Sequence, residues 1–486
     1  MRVVGVLILM MVQGLVSDRG FAASAVNLEL RRLTKCYGLL VSERIRPNDP
    51  LFVKVKNGIV SGTDACVELL EKATLGPDGR FPLVNGVPDP LAGKIAGTLM
   101  AAHRRHFSIE DPMSQITFAA DLTDVNQTSY HFIYPFLKAG EPFSKVVTRG
   151  ASLRAIRSLG GNSKLRLWNG HKLFFSQGNY HGPNNPRNNY STWNPVLVER
   201  GELQGLVEDS TQNIPDALVV GYEKYFGKVN MNAHFGAGFL GTQTYHLATH
   251  DNMGGSDGVF NAFRLFGRNA YQDAFCRDLP VVRSNDVISE VRENSQIPWR
   301  VSRSCMSCHA PMDEFGASIR RMAYLRLFFS TDGNVAPGVK VGFWTDQSVP
   351  LETAAFPSAP YPDLNPDPDF YKRPPEGRLF FRNYKGDLIN EKVTGLQQMG
   401  EAVARQDDLY ICEASRLFDF LTGVTPVLGD PANPERPLNL TAGQKWIREL
   451  VIQYGLDLKK HQNVRETFRR MVASPLFLDP NARVNK

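Results

Sequence analysis

Apolar residues recur at helical spacing near the start of the sequence. Between Asn27 and Val41 the apolar residues Leu30, Leu33, Tyr37, Leu40 and Val41 form one stripe, which predicts an amphipathic helix. A second helix is expected after Gly62, with Thr63 as its cap and Val67, Leu69 and Leu70 inside. A third covers Pro90–His106 with Leu91, Ile95 and Leu99 on one face. Its last turn carries His103 and His106, where a cation suits the helix dipole. Lys164–Ser176 and Val196–Val207 read as strands around the Asn-, Pro- and Gly-rich loop Asn179–Pro195. Helical spacing returns over Val259–Leu279 and Arg320–Ser330. Eight prolines between Pro350 and Pro375 then mark Gly333–Pro375 as a linker. Arg378–Asn383 and Leu388–Val393 flank Tyr384-Lys385-Gly386-Asp387 as a hairpin. Helices are expected at Leu396–Gly423, Thr441–Gly455 and Asn463–Ala473.

Val3 to Val16 is an almost unbroken apolar run behind Arg2. Fourteen helical residues reach about 21 Å, short of the roughly 30 Å hydrocarbon core, but they suit a secretory signal. Ala23-Ser24-Ala25 supplies the small residues of a cleavage site, so residues 1–25 read as a signal peptide, with a buried N-terminal helix as the alternative. The expected destination is an oxidising compartment, periplasmic or secreted. No later run approaches a membrane span, so no transmembrane segment is expected after cleavage. With 55 Lys and Arg against 49 Asp and Glu, the net charge of +6 is not the footprint of a nucleic-acid binder. Aromatic residues at 10% and charged residues at 21% exclude a disordered chain.

Six cysteines in 486 residues are too few for a disulfide-built scaffold, so their spacing decides their meaning. Cys305-Met306-Ser307-Cys308-His309 is a C-x-x-C-H motif, for which this composition gives roughly 0.0015 chance occurrences. Two thiols at this spacing can bond the two vinyl groups of one haem c, while the adjacent imidazole of His309 serves as the proximal iron ligand. A thioredoxin-like pair would want a βαβ context, and a zinc site two more ligands at matching spacing. The motif occurs once, which argues against dihaem and multihaem proteins. His246 and His250 are four apart, but Leu247 stands where a zinc protease needs a glutamate.

The remaining cysteines, Cys36, Cys66, Cys276 and Cys412, allow three pairings. Cys36–Cys66 is favoured because both lie on the first two helices, which leaves Cys276–Cys412; buried free thiols are the alternative. For the sixth iron ligand the sequence offers Met399, after the Gly395-Leu396-Gln397-Gln398 turn. Met312, Met322, Met471 and His461 are rivals, and an open site is the catalytic alternative.

Phe275-Cys276-Arg277-Asp278-Leu279-Pro280, the haem motif, and Met312-Asp313-Glu314-Phe315-Gly316 occur in that order. With Leu409–Gly423, Tyr454–Leu458 and Val472–Phe477, the set resembles the planctomycete-type cytochrome c-like proteins. The resemblance covers about a third of the chain. It implies a mainly α fold in which a multi-helical cytochrome c-like haem region joins a helical C-terminal domain, with small β insertions and a proline-rich linker. The corresponding division is a signal peptide at 1–25, an N-terminal domain at 26–230, the haem-binding domain at 231–332, the linker at 333–376 and the C-terminal domain at 377–486. Haem binding and single-electron transfer to a redox partner protein are implied, alone or as the electron-accepting part of an oxidoreductase. A peroxidase-like enzyme, or a binding protein with a structural or sensory haem, is the alternative.

Overall fold

The computed structural model describes residues 25–107, 126–158, 172–174, 202–209, 213–220, 228–232, 236–242, 245–246, 262–295, 298–320, 324–326, 340–342, 373–480 and 482. Residues 1–24 of the expected signal peptide, the expected loop Asn179–Pro195 and most of the expected proline-rich linker lie outside them, as do His250 and Met322.

The chain is mainly helical, with a few short strands. Residues 25–41 form the first helix, Pro50–Lys56, Gly62–Glu71 and Pro90–Arg104 follow, and Gln127–Leu137 is buried from Thr128 to its end. One continuous apolar core takes residues from Leu33 to Phe477, with members in each of the segments 26–230, 231–332 and 377–486. Its closure is long-range. The Val464–Ala473 helix packs on Gly62–Glu71 and Gln127–Leu137. Arg465 fastens it by donating to the carbonyls of Phe136 and Leu137 and to Thr74 Oγ1, at 2.6, 3.1 and 2.9 Å. Lys35 donates to the Phe477 carbonyl and lies 4.9 Å from that ring's centre.

Two disulfides brace the core. Cys36–Cys66 joins the first helix to Gly62–Glu71 with Cα atoms 5.9 Å apart. Cys276–Cys412, at 5.3 Å, spans 136 residues and joins the end of Ala262–Phe275 to Asp407–Thr422. On chain-entropy grounds a loop of that length contributes about 4–5 kcal/mol.

Several elements differ from expectation for identifiable reasons. Leu396–Gly423 is two helices, Gly395–Arg405 and Asp407–Thr422, because Gln406 is extended (φ −81°, ψ 139°). The break puts Asp407 and Asp408 at a helix N-terminus, which suits their charge. The Asp408 carboxylate is buried, accepts the Tyr384 N–H at 3.3 Å and faces Arg277 at 3.7 Å. The helix capped by Thr441 runs through Gly455 to His461, because Gly455 lies flat on the Ile411 backbone. The described residues of Arg320–Ser330 are not helical. Its backbone turns extended at Arg320, whose guanidinium donates to the Pro374 and Glu376 carbonyls, and Tyr324–Arg326 pairs antiparallel with Lys340–Gly342. Among the described residues the expected strands are seen as Lys172–Phe174 and Leu203–Asp209. The latter pairs antiparallel with Ser152–Arg157, whereas Lys172–Phe174 runs parallel to Asn213–Val220. The hairpin forms as Glu376–Arg382 against Leu388–Thr394.

His103 is more than a charge at a helix end. It is buried, with Nδ1 2.8 Å from the Leu99 carbonyl and Nε2 2.9 Å from Glu413 Oε1. His106, one turn on, has its pKa lowered to about 4 by burial and by the Arg416 and Arg105 cations.

Two glycine positions test the packing. Gly455→Ala should cost about 1–3 kcal/mol, since its Cβ would stand 2.5 Å from Ile411 Cα and overpacking outweighs better helix propensity. Gly97→Ala, with nothing within 4 Å of its Cβ, should gain up to about 1 kcal/mol; urea unfolding of both variants checks the signs. His106 makes an acid prediction. Between pH 6.5 and about 4 the unfolded chain takes a proton that the folded chain refuses, so stability falls as pH falls through that window, on the order of 2 kcal/mol. His106→Gln should flatten that part of a stability–pH profile.

Candidate functional site

The C-x-x-C-H motif lies on the helix Arg303–Gly316, entered from the short 3₁₀ turn Pro298–Val301. Ser302, extended at φ −128° and ψ 134°, starts the helix, and the Ser307 hydroxyl donates to the Ser304 carbonyl at 2.8 Å. The motif helix is seated against Ala262–Phe275 at two points where only hydrogen fits. A Cβ on Gly267 would meet the Met312 carbonyl oxygen at 2.6 Å, and one on Gly316 would meet the Phe263 carbonyl oxygen at 2.4 Å. Gly377, at the start of the hairpin, meets the Glu314 carbonyl oxygen at 2.7 Å in the same sense. Backbone therefore touches backbone on two sides.

This seating fixes which face the motif presents. At about 100° per residue, positions 305, 308 and 309 share an arc of about 100°, while 306 and 310 point elsewhere. Met306 and Ala310 are buried against Val282, Val287 and Phe380. Cys305, Cys308 and His309 are all half-buried, and neither cysteine is in a disulfide. Burial pushes the Cys308 thiol pKa up, with the Arg436 guanidinium acting in the opposite sense. Two large apolar side chains, Ile288 at 51% and Val301 at 41%, are exposed on the segments that pack against this helix.

The His309 imidazole is held in a stack. Trp299 lies against it with ring centres 5.3 Å apart and planes 17° from parallel. Arg264 sits 4.8 Å from the centre of the Trp299 ring and pairs with Asp313 at 2.7 Å, so a residue of the motif helix positions the cation that positions the indole. The Trp299 indole N–H is buried without an acceptor among the described residues. Sequence reading missed Trp299 and Arg264. The available signal was the Pro298-Trp299-Arg300 approach six residues before Cys305.

Of the residues singled out in sequence, Cys305, Cys308 and His309 come together and Met399 stands apart. Met399 is fully buried in the main core, on a helix that packs against Lys145–Thr148 and Gly238–Gly241. Met471 is also core and His461 is exposed, while Met312 is half-buried on the motif helix itself. His246 is fully buried and stacks on Phe266 at 4.7 Å. Among the described residues no cluster of three His, Cys, Asp or Glu side chains is placed to hold a metal ion. No described helix is long and apolar enough to cross a membrane.

No family model, curated protein or solved structure matches the chain.

Thiol labelling tests the cysteine partition. In haem-free, non-reduced protein, a maleimide should modify Cys305 and Cys308 and leave Cys36, Cys66, Cys276 and Cys412 untouched by peptide mapping. Modification of Cys308 should be slow at neutral pH and accelerate as pH rises, since its raised pKa leaves less thiolate.

Proposed function

We propose that this protein is an extracytoplasmic c-type cytochrome that carries one covalent haem and passes single electrons to a redox partner. The observation that carries the reading is the cysteine partition. Four cysteines are closed in disulfides, while Cys305 and Cys308 stay free on the partly open helix face that they share with His309. The donor set suits the group: two thiols for thioethers and an imidazole for the iron. Bound there, a haem supplies one-electron redox chemistry.

The chain's own residues would do the rest. Trp299 holds the imidazole plane through its stack, and Arg264 and Asp313 hold Trp299. The buried indole N–H of Trp299 suits an acceptor such as a porphyrin carboxylate. Ile288 and Val301 offer the apolar cover that a porphyrin face prefers to water. The two disulfides support an oxidising compartment, the one in which haem is attached to such motifs. Met399 is the sixth ligand proposed from sequence, and reaching a haem from the main core would require its helix to shift.

Export with a haem-maturation system should give protein whose haem resists acid–acetone extraction and denaturing gels. Cys305→Ala/Cys308→Ala should lose the covalent stain altogether; its persistence would refute the assignment. Oxidised protein with methionine ligation should show a weak far-red band that Met399→Ala removes. A high-spin spectrum of the unmodified protein would instead support the peroxidase-like alternative.

A further inference from the structure

A cavity of about 370 Å³ opens beside the Cys276–Cys412 disulfide, with Cys276 in its wall. That volume falls in the range of small-molecule sites. Arg416 and Ser415 form part of its lining, His106 and Asp419 another part, and Pro426, Val427 and Leu428 supply an apolar wall.

Arg416 is an unusual residue to find in such a place. It is only 5% exposed, and its guanidinium lies 5.1 and 5.3 Å from the ring centres of Phe107 and Phe132. Its Nη2 donates to the Asp273 carbonyl at 2.7 Å and reaches the Gln272 carbonyl at 3.5 Å. Nη1 has no hydrogen-bond partner among the described residues, and Nε is sealed without one. The neighbouring Ser415, 7% exposed, likewise has a hydroxyl with no hydrogen-bond partner among the described residues. A buried cation with unused donors is costly unless something accepts from it.

The nearby carboxylates are committed elsewhere. Glu413 Oε1 lies 2.9 Å from His103, and Asp273 Oδ2 accepts from Tyr245 at 2.9 Å; Glu413 and Asp273 offset the Arg416 charge, but neither accepts a hydrogen bond from its guanidinium through a side-chain oxygen among the described residues. Asp419 is paired with Arg105 at 2.5 Å and accepts from Thr425 at 2.9 Å. His106, 3.6 Å from Asp419, has its pKa lowered first by burial and then by the Arg416 and Arg105 cations, so this part of the wall carries a neutral imidazole beside the Arg416 guanidinium. Asp278 is exposed at the cavity and adds one negative charge, which disfavours a ligand with two.

We propose that this cavity binds a small monocarboxylic acid, its carboxylate taken by Arg416 and Ser415 and its apolar tail laid against Pro426–Leu428. A guanidinium is the side chain best matched to a carboxylate, and partial burial strengthens the pair. The site is separate from the haem motif and does not depend on it.

The test uses the purified full chain and three probes that share one ring: benzoate, benzyl alcohol and benzylamine. Benzoate should raise the melting temperature saturably and bind by calorimetry, with the alcohol and amine at least about tenfold weaker. Arg416→Lys should weaken benzoate about tenfold or more. Ser415→Ala, which leaves the buried charges in place and so should keep the fold, should weaken it several-fold. No saturable binding of benzoate, equal binding of the amine or alcohol, or unchanged benzoate affinity in both folded variants would overturn the proposal.

Discussion

Backbone-to-backbone contact at Gly267, Gly316 and Gly377 sets the position of the motif helix. Side chains in a core can change rotamer and absorb a small shift, but two carbonyl oxygens pressed against α-carbons cannot. The helix can therefore neither rotate nor slide without opening a gap along Ala262–Phe275. Because Cys305, Cys308 and His309 occupy one narrow arc, that restriction decides which way all three face. The Cys276–Cys412 bridge extends it, since the helix that carries Gly267 ends at Cys276 and is fastened there to Asp407–Thr422.

A layer of buried charge lies behind the same helix. Arg277 faces Asp408, and Arg416 lies near Glu413 and Asp273, with His103 beside one Glu413 oxygen and Tyr245 donating to one Asp273 oxygen. Desolvation raises the Asp408 pKa to about 6 and lowers that of Arg416, so both ions sit where burial works against their charge. Breaking one member of such a set leaves the other charged and dry, which costs more than the pair contributes. The layer fixes which helices may lie together at the centre of the molecule.

Much of this was legible in the sequence where the signal is local. The C-x-x-C-H spacing, the Thr441 cap and the Tyr384–Asp387 turn each depend on neighbours within a few residues. Cys36–Cys66 also followed from the helices that carry the two cysteines, and Cys276–Cys412 from what that pairing left over. What was hidden is tertiary. Gln406 breaks a good helical pattern because Asp408 is needed at an N-terminus facing Arg277. Gly455 looks like a stop signal and is instead a contact point with Ile411. Arg320–Ser330 has helical periodicity, but Arg320 is drawn to carbonyls more than fifty residues on. Trp299 and Arg264 escaped notice because their meaning lies in what they stack on or pair with, His309 and Asp313, 10 and 49 residues away in the chain.

The clasp of Arg465 on the carbonyls of Phe136 and Leu137 also bears on how the chain is made. These partners are separated by more than three hundred residues, so the ribosome releases one long before the other. The N-terminal helices must wait, incompletely covered, until nearly the whole polypeptide has emerged, and such distant closures are slow. During that interval the middle of the chain, Cys305 and Cys308 included, is not yet shut inside a finished fold. A polypeptide arranged in this way stays threadable and chemically accessible until its last helices arrive.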